Sequence, residues 1–337
     1  MNWTFLLTHF INSCSNTNTP VQDETCAEAM VHLEDCTGLS LETPECSGDA
    51  LDESTLILSL ECEELNQSLG SLPLCETLGS NCNNIPTCGD RALTAEEYID
   101  ILEYSDSSSI QSIEDLETRI TDIRDIFVDA KDHRGLFAVF YAPITQRGVA
   151  AVQSGQFAHS FWSQELMIDF AARYLDNLRE HLLDGNVSNA WERYYDLTAD
   201  CSASPTRVAA VGVNTHLLVD LPKSLASISS DASQQQDYEN FGLVLVDAAP
   251  VLTQDLDNAY GTNSGPFFNG YFLGDWVDAA WGQSTMTTFA FQTIRNKAWT
   301  NGQWLQDWRF GLAHSEITAS WNTADGILAV LDATGAL

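Results

Sequence analysis

Apolar residues recur every three or four positions through most of the chain beyond residue 91. Ile110, Ile113, Leu116, Ile120, Ile123 and Phe127 form one such stripe, the spacing that lines up one buried face of an α-helix. Ser108 followed by Gln111 offers a capping box at its start, and Gly135 a stop. A second stripe runs from Trp162 through Leu166, Phe170, Tyr174, Leu178 and Leu182 and predicts a long amphipathic helix ending near Gly185. Between the two lies GLFAVFYAPITQRGVAAV, starting at Gly135. It is rich in β-branched and aromatic residues, but no neighbouring runs show strand spacing, so it reads as a buried helix broken near Pro143. Tyr238 to Ala249 predicts another helix, ended or kinked by Pro250. Residues 261–285 read as an extended Gly- and aromatic-rich loop. The helix after it should place Phe291, Ile294, Ala298, Leu305 and Trp308 inward, with Arg295 and Lys297 beside that stripe. The pattern predicts an all-α fold.

The most informative stretch is Val208 to Leu225, VAAVGVNTHLLVDLPKSL. It is an apolar helical run carrying Asn214, His216 and Asp220, with Pro222 just beyond. His216 and Asp220 are four residues apart and so share one helix face, a turn from each other. At that separation an imidazole and a carboxylate can share a divalent metal, or hydrogen-bond directly so that the carboxylate orients the ring. Pro222 lacks an N–H, which predicts a kink or stop there. A broken helix beside a polar pair opens polar groups to a cavity, and it is also an ordinary helix end. Flanked by VAAVGV and LLV, the same pair serves equally well as an internal polar contact of a helical bundle.

Composition adds a boundary. Eight of the nine cysteines (Cys14, Cys26, Cys36, Cys46, Cys62, Cys75, Cys82 and Cys88) precede residue 90, and the same residues hold 15 Asp or Glu with no Lys or Arg. Residues 1–90 therefore predict a small acidic lead cross-linked by disulfides, and residues 91–337 a helical domain. Zinc is the competing use of such cysteines, but no C-x-x-C pair is present. Disulfides imply an oxidising compartment: extracellular, periplasmic or cell-surface. Met1 to Cys14 offers only a weak export or lipoprotein-type start, without a basic flank and interrupted by His9 and Asn12. Cys201 stands apart and reads as a disulfide partner or buried thiol rather than a nucleophile. The formal charge of −34 argues against nucleic acid as a partner. No apolar run reaches the ~20 residues of a membrane-spanning helix. Six of nine tryptophans lie between Trp276 and Trp321, where they either seal a helical core or line a recess for a small-molecule ligand.

The segment GVNTHLLVDLPKSL resembles the most distinctive part of a bacterial family known only as a domain of unknown function, with an Asn-x-His-x-x-x-Asp-Leu-Pro core. The likeness extends to GLFAVFYAPITQ with Tyr141 and Thr145, FAARYLDNL, Trp191 of NAWERYY, and Arg295, Ala298 and Trp299 of IRNKAW. It implies an all-helical fold over roughly residues 135 to 305 and transfers no activity. Two positions depart from it: Val219 stands where the family has a polar residue, and Met167 where it has an acidic one, with Asp169 two residues on. More distantly, His-x-x-x-Asp-Leu-Pro is similar to the metal-binding helix of zinc-dependent phospholipases C and single-strand nucleases. That likeness implies a metal-activated water and a phosphoester substrate. The helical part holds only His133, His159, His181, His216 and His314, too few for a trinuclear site. Asp132-His133 reads as a helix end with an exposed imidazole.

Two functional expectations result. One is an exported metal-assisted hydrolase, with His216 and Asp220 holding a divalent metal (zinc being the one implied) and Asn214, Tyr141, Thr145 and Arg295 lining the site, Arg295 placed to stabilise an anion. The other is an exported binding or surface protein without enzymatic activity, in which the His/Asp pair is structural.

Overall fold

The computed structural model describes residues 87–270, 285–335 and 337, with residues 28, 29, 31, 32 and 58. The expected export start and the cross-links among the first seven cysteines lie outside the described residues. So do residues 271–284 of the expected loop and the side chain of Phe291. The chain divides into two compact units, one of residues 1–85, 93–103 and 182–185, the other of residues 86–92, 104–181 and 186–337. In the first, helix α1 (Ala95–Tyr104) opens on a reciprocal cap. Thr94 Oγ1 accepts from Glu97 N–H at 3.2 Å and Glu97 Oε2 accepts from Thr94 N–H at 2.8 Å, satisfying two N–H groups that a helix start otherwise leaves unpaired.

The second unit contains α2 (Ile113–Ala130), α3 (Leu136–Gln153), α4 (Ser160–Leu182), α5 (Asn189–Ala199), α6 (Pro205–Thr215), a π turn (His216–Asp220), α7 (Leu221–Ser227), α8 (Gln235–Tyr260), α9 (Gly265–Gly270), α10 (Thr285–Leu305) and α11 (Phe310–Ala333). There is no strand among the described residues, and the fold is all-α. No helix among them is long and apolar enough to cross a membrane.

The stripe on α2 is buried as its spacing predicts: Ile113, Leu116, Ile120, Ile123 and Phe127 all face inward. Its ends differ from the expected ones. Ser112, not Ser108, caps the start by accepting from Asp115 N–H, and Lys131 closes the helix in the left-handed region at φ 53°. Ser108 belongs to a separate short turn that Asp106 caps.

Helix α3 is packed against α2, α6 and α8, so it is buried on nearly every side and its sequence shows no polar face. It runs unbroken through Pro143. An interior proline costs about 3 kcal/mol, whereas burying each large aliphatic or aromatic side chain contributes ~1.5–3 kcal/mol. Leu136, Phe137, Val139, Val149 and Val152 are all buried on this helix, so packing wins. The same balance carries α8 through Pro250 to Tyr260, well past the expected end at Ala249. Ala248, Leu252 and Leu256 beyond or beside the proline are buried, and Gly261 at φ 67° provides the stop.

Other expectations are corrected. Residues Gly265–Gly270 of the expected loop are helical. Trp308 lies past the end of α10 and is 86% exposed, while Ala298 of the same stripe is buried. Asp132-His133 does follow the end of α2, but His133 is half-buried instead of exposed and Asp132 is wholly buried. Its carboxylate accepts from Thr87 Oγ1 (2.7 Å) and from Arg134 Nε and Nη2, and its carbonyl accepts from Tyr260 Oη (2.7 Å). The chain around Cys88 folds over this network. Cys88 N–H donates to Thr198 O and Cys88 O accepts from His133 N–H, both at 2.8 Å. Cys88 is disulfide-bonded to Cys201.

Candidate functional site

Ser204 starts α6 by accepting from Arg207 N–H, with Pro205 in the first turn, where a missing N–H costs nothing. The helix then comes close to α3 and α5: a Cβ added at Gly212 would lie 2.9 Å from Phe137 Cβ and 3.1 Å from Tyr194 Cε2. After Thr215 the backbone widens into the π turn, in which Leu221 N–H reaches back five residues to His216 O. Ahead of Pro222 the regular α-helix gives way to this π turn, and Pro222 falls in the first turn of α7. The wider turn ahead of the proline changes which carbonyl loses its donor, and helix resumes at Leu221. Such turns inside helices are frequent at functional sites.

The outer face of the π turn is structural. Leu218 and Val219 pack with Ala190 and Ile317 and against Ile294, Leu305 and Trp321. Val219, where the resembling family has a polar residue, is thus part of an apolar cluster.

The inner face carries the pair. His216 Nδ1 lies 3.1 Å from Asp220 Oδ2, and Trp191 Nε1 donates to the same oxygen at 2.9 Å. An indole N–H can only donate. Oδ2 is therefore an acceptor, and Nδ1 facing it carries the proton. That leaves Nε2 as the bare acceptor of a neutral ring, and it has no hydrogen-bond partner among the described residues. Burial lowers the His216 pKa, against the opposing pull of Asp220. The imidazole is stacked on Phe170 (centroids 3.5 Å, planes 13° apart) and meets Tyr141 (4.8 Å) and Phe137 (5.1 Å) edge-on. Both His216 and Asp220 are only 3% exposed.

Near this sealed pair is a recess of about 590 Å³ counting the open space at its mouth, with room for more than one water molecule. Its walls are apolar side chains of α2, α3, α4, the π turn and α8, among them Leu166, Met167, Phe170, Leu217 and Phe241. The polar members are Tyr141, Thr145 and Arg295. Arg295 is 2% exposed; its Nη2 donates to Tyr238 O at 2.5 Å and its guanidinium carbon lies 4.1 Å from the centre of the Tyr238 ring. Burial pulls the Arg295 pKa down, yet a guanidinium stays charged in proteins. Burial also pushes the Tyr141 pKa up, so its phenol stays protonated.

The fold thus brings Tyr141, Thr145 and Arg295 to the same recess. His216 packs against Phe170 and Tyr141, and neither His216 nor Asp220 is part of the lining. Asn214 is buried on α6 and does not line the recess. Two contributors carried no signal in the spacing: Trp191, 29 residues before the Asp220 it holds, and Phe170, whose helical stripe marks it simply as core. Met167 lines the recess, and Asp169 is paired with Arg173.

Nδ1 of His216 and Oδ2 of Asp220 face each other, and no group of three His, Cys, Asp or Glu side chains that could hold a metal ion is found among the described residues.

No curated protein and no solved structure matches the chain. The model of a family described as Family of unknown function (DUF5995) matches residues 113–328. That span is more than half of the chain and includes every element around the recess and the buried pair. The chain belongs to this family of unknown function.

Proposed function

We propose that this protein binds a small, mainly apolar molecule carrying an anionic group, and that the His216/Asp220 pair belongs to the framework of that site. The observation that supports this is the recess itself: apolar over most of its surface, with one buried cation, Arg295, in its wall. A few fixed polar groups in an apolar hollow are what small-ligand sites use to orient an occupant. A carboxylate of the ligand would take the guanidinium and the Tyr141 hydroxyl, and its apolar body the aliphatic wall. The free volume limits the occupant to a short chain or a single ring unless Met167, an adaptable side chain, swings aside.

Calorimetric titration with hexanoate and with hexanol tests this. The acid should bind more tightly, and Arg295→Gln should remove the difference. Equal affinity for the two in wild-type protein would remove Arg295 from the proposal. Ile144 also lines the recess, and Ile144→Trp, which fills the space with a larger side chain, should abolish both. Metal content is the direct check on the hydrolase expectation: zinc in the purified wild type that His216→Ala and Asp220→Ala both lose would put metal-assisted hydrolysis first.

A further inference from the structure

Helix α11 leaves an apolar face exposed in a chain that is otherwise strongly acidic. Leu312, Ser315, Ala319, Asn322, Gly326 and Val330 recur every three or four residues along it, so they share one face, and all six are exposed. Leu312, Ile327 and Val330 are each more than half exposed, and a Cβ added at Gly326 would meet no atom within 4 Å. Aliphatic side chains grouped in this way mark contact surfaces, because each forgoes the stabilisation that burial would give it.

Charge sets this face apart. The chain has 48 Asp and Glu residues against 14 Lys and Arg, yet no Asp, Glu, Lys or Arg occupies an exposed position of α11, a length of about 36 Å. The three carboxylates of the helix are half-buried. Glu316 receives Lys297 Nζ and Asn301 Nδ2, and Asp325 pairs with Arg207 and Arg193. A basic partner would be recruited by exposed carboxylates, and this face offers none. Their removal matters when the opposing surface is itself acidic, since like charges set against each other oppose association. A second copy of this chain presents such a surface.

We propose that α11 is the contact of a two-fold symmetric homodimer in which the two copies of the helix pack antiparallel. The face is self-complementary in that arrangement. Turning it end for end about the middle of the helix sets Leu312 of one copy opposite Val330 of the other, Ser315 opposite Ile327, and Ala319 opposite Thr323. Small side chains then meet near the symmetry axis, and the larger aliphatic ones close the two ends. Both copies use the same patch, so the contact is closed and does not extend into a filament.

The test is sedimentation equilibrium of the full chain over a range of protein and NaCl concentrations. Wild type should be a monomer–dimer system that tightens as NaCl rises from about 0.1 M to about 1 M, because salt screens the repulsion between the two acidic copies outside the contact. Leu312→Glu and Ala319→Glu place a charge on the face at exposed positions, where substitution leaves folding intact. Each should weaken the dimer about ten-fold or more. A wild type that stays monomeric at every salt concentration leaves the face to a partner of other chemistry and overturns the proposal. So does a dimer that both variants leave as tight as before, which places the contact elsewhere. A dimer that loosens as salt rises is held by opposite charges and overturns it as well.

Discussion

Opening the bond between Cys88 and Cys201 has a calculable cost. The bond closes a loop spanning a sequence separation of 113. Cross-linking a loop of that length removes enough entropy from the unfolded chain to contribute roughly 5 kcal/mol at 25 °C. The hydrogen bonds of Cys88 with Thr198 and His133 are all backbone, so a Cys→Ser change leaves their donors and acceptors in place and isolates the cross-link. At about 2–4 °C per kcal/mol for a chain of this size, Cys201→Ser should lower the thermal midpoint by about 10–20 °C. The assay is calorimetric or circular-dichroism melting of wild type, Cys88→Ser, Cys201→Ser and the double variant. Removing either sulfur already opens the bond, so the double variant should melt where the singles do, a strongly non-additive cycle. Single variants that melt with wild type, or losses that simply sum, would refute the pairing.

Acid should weaken the fold through its buried imidazoles. His181 is stacked on Tyr195 at 3.8 Å, and burial, then the charge of Arg134, bring its pKa down to about 3; burial lowers His216 as well. For a depressed histidine the stabilisation is complete above the unfolded value of about 6.5 and is lost as pH falls toward the folded value. For His181 the loss is roughly 5 kcal/mol across that window. The large negative charge acts in the opposite direction as carboxylates protonate, so the measurement is the difference in urea midpoint between wild type and His181→Phe from about pH 7.5 to about pH 4.5. A difference that does not change with pH would count against the buried neutral ring. At Gly302 an added Cβ would sit 2.8 Å from Leu225 Cβ and 3.1 Å from Pro222 O. Gly302→Ala should therefore cost about 1–3 kcal/mol despite the ~1 kcal/mol that alanine gains in a free helix. A stabilised variant in urea unfolding would show that α7 and α10 do not approach so closely.

Helix positions were legible wherever one face is buried and the other wet, as with Ile113 to Phe127 on α2 and Trp162 to Leu182 on α4. Helix ends were less so. Pro143 and Pro250 carry a local signal to stop, and it is overridden by burial on both sides of each proline, which only the tertiary fold supplies. The His216–Asp220 contact could be read from a spacing of four. Its role could not, because that depends on Trp191 and Phe170, brought in from other helices. Tyr141, Thr145 and Arg295 were named for the site, but the hollow itself was not legible: they are polar residues in apolar runs, and only the packing of α2, α3, α4 and α8 around them leaves it. The disulfide partner of Cys201 was undetermined because cysteine spacing alone does not specify pairing.

The π turn sets the angular phase between two consecutive helices. Each residue of a regular helix advances the face by about 100°, so deleting one position between His216 and Asp220 would restore an unbroken α-helix while swinging Leu225 away from α10. Excising one position here would make the local backbone more regular and leave the fold without its interlock at Gly302, while a substitution at the same place would change only a side chain. In this segment chain length is held as tightly as residue identity.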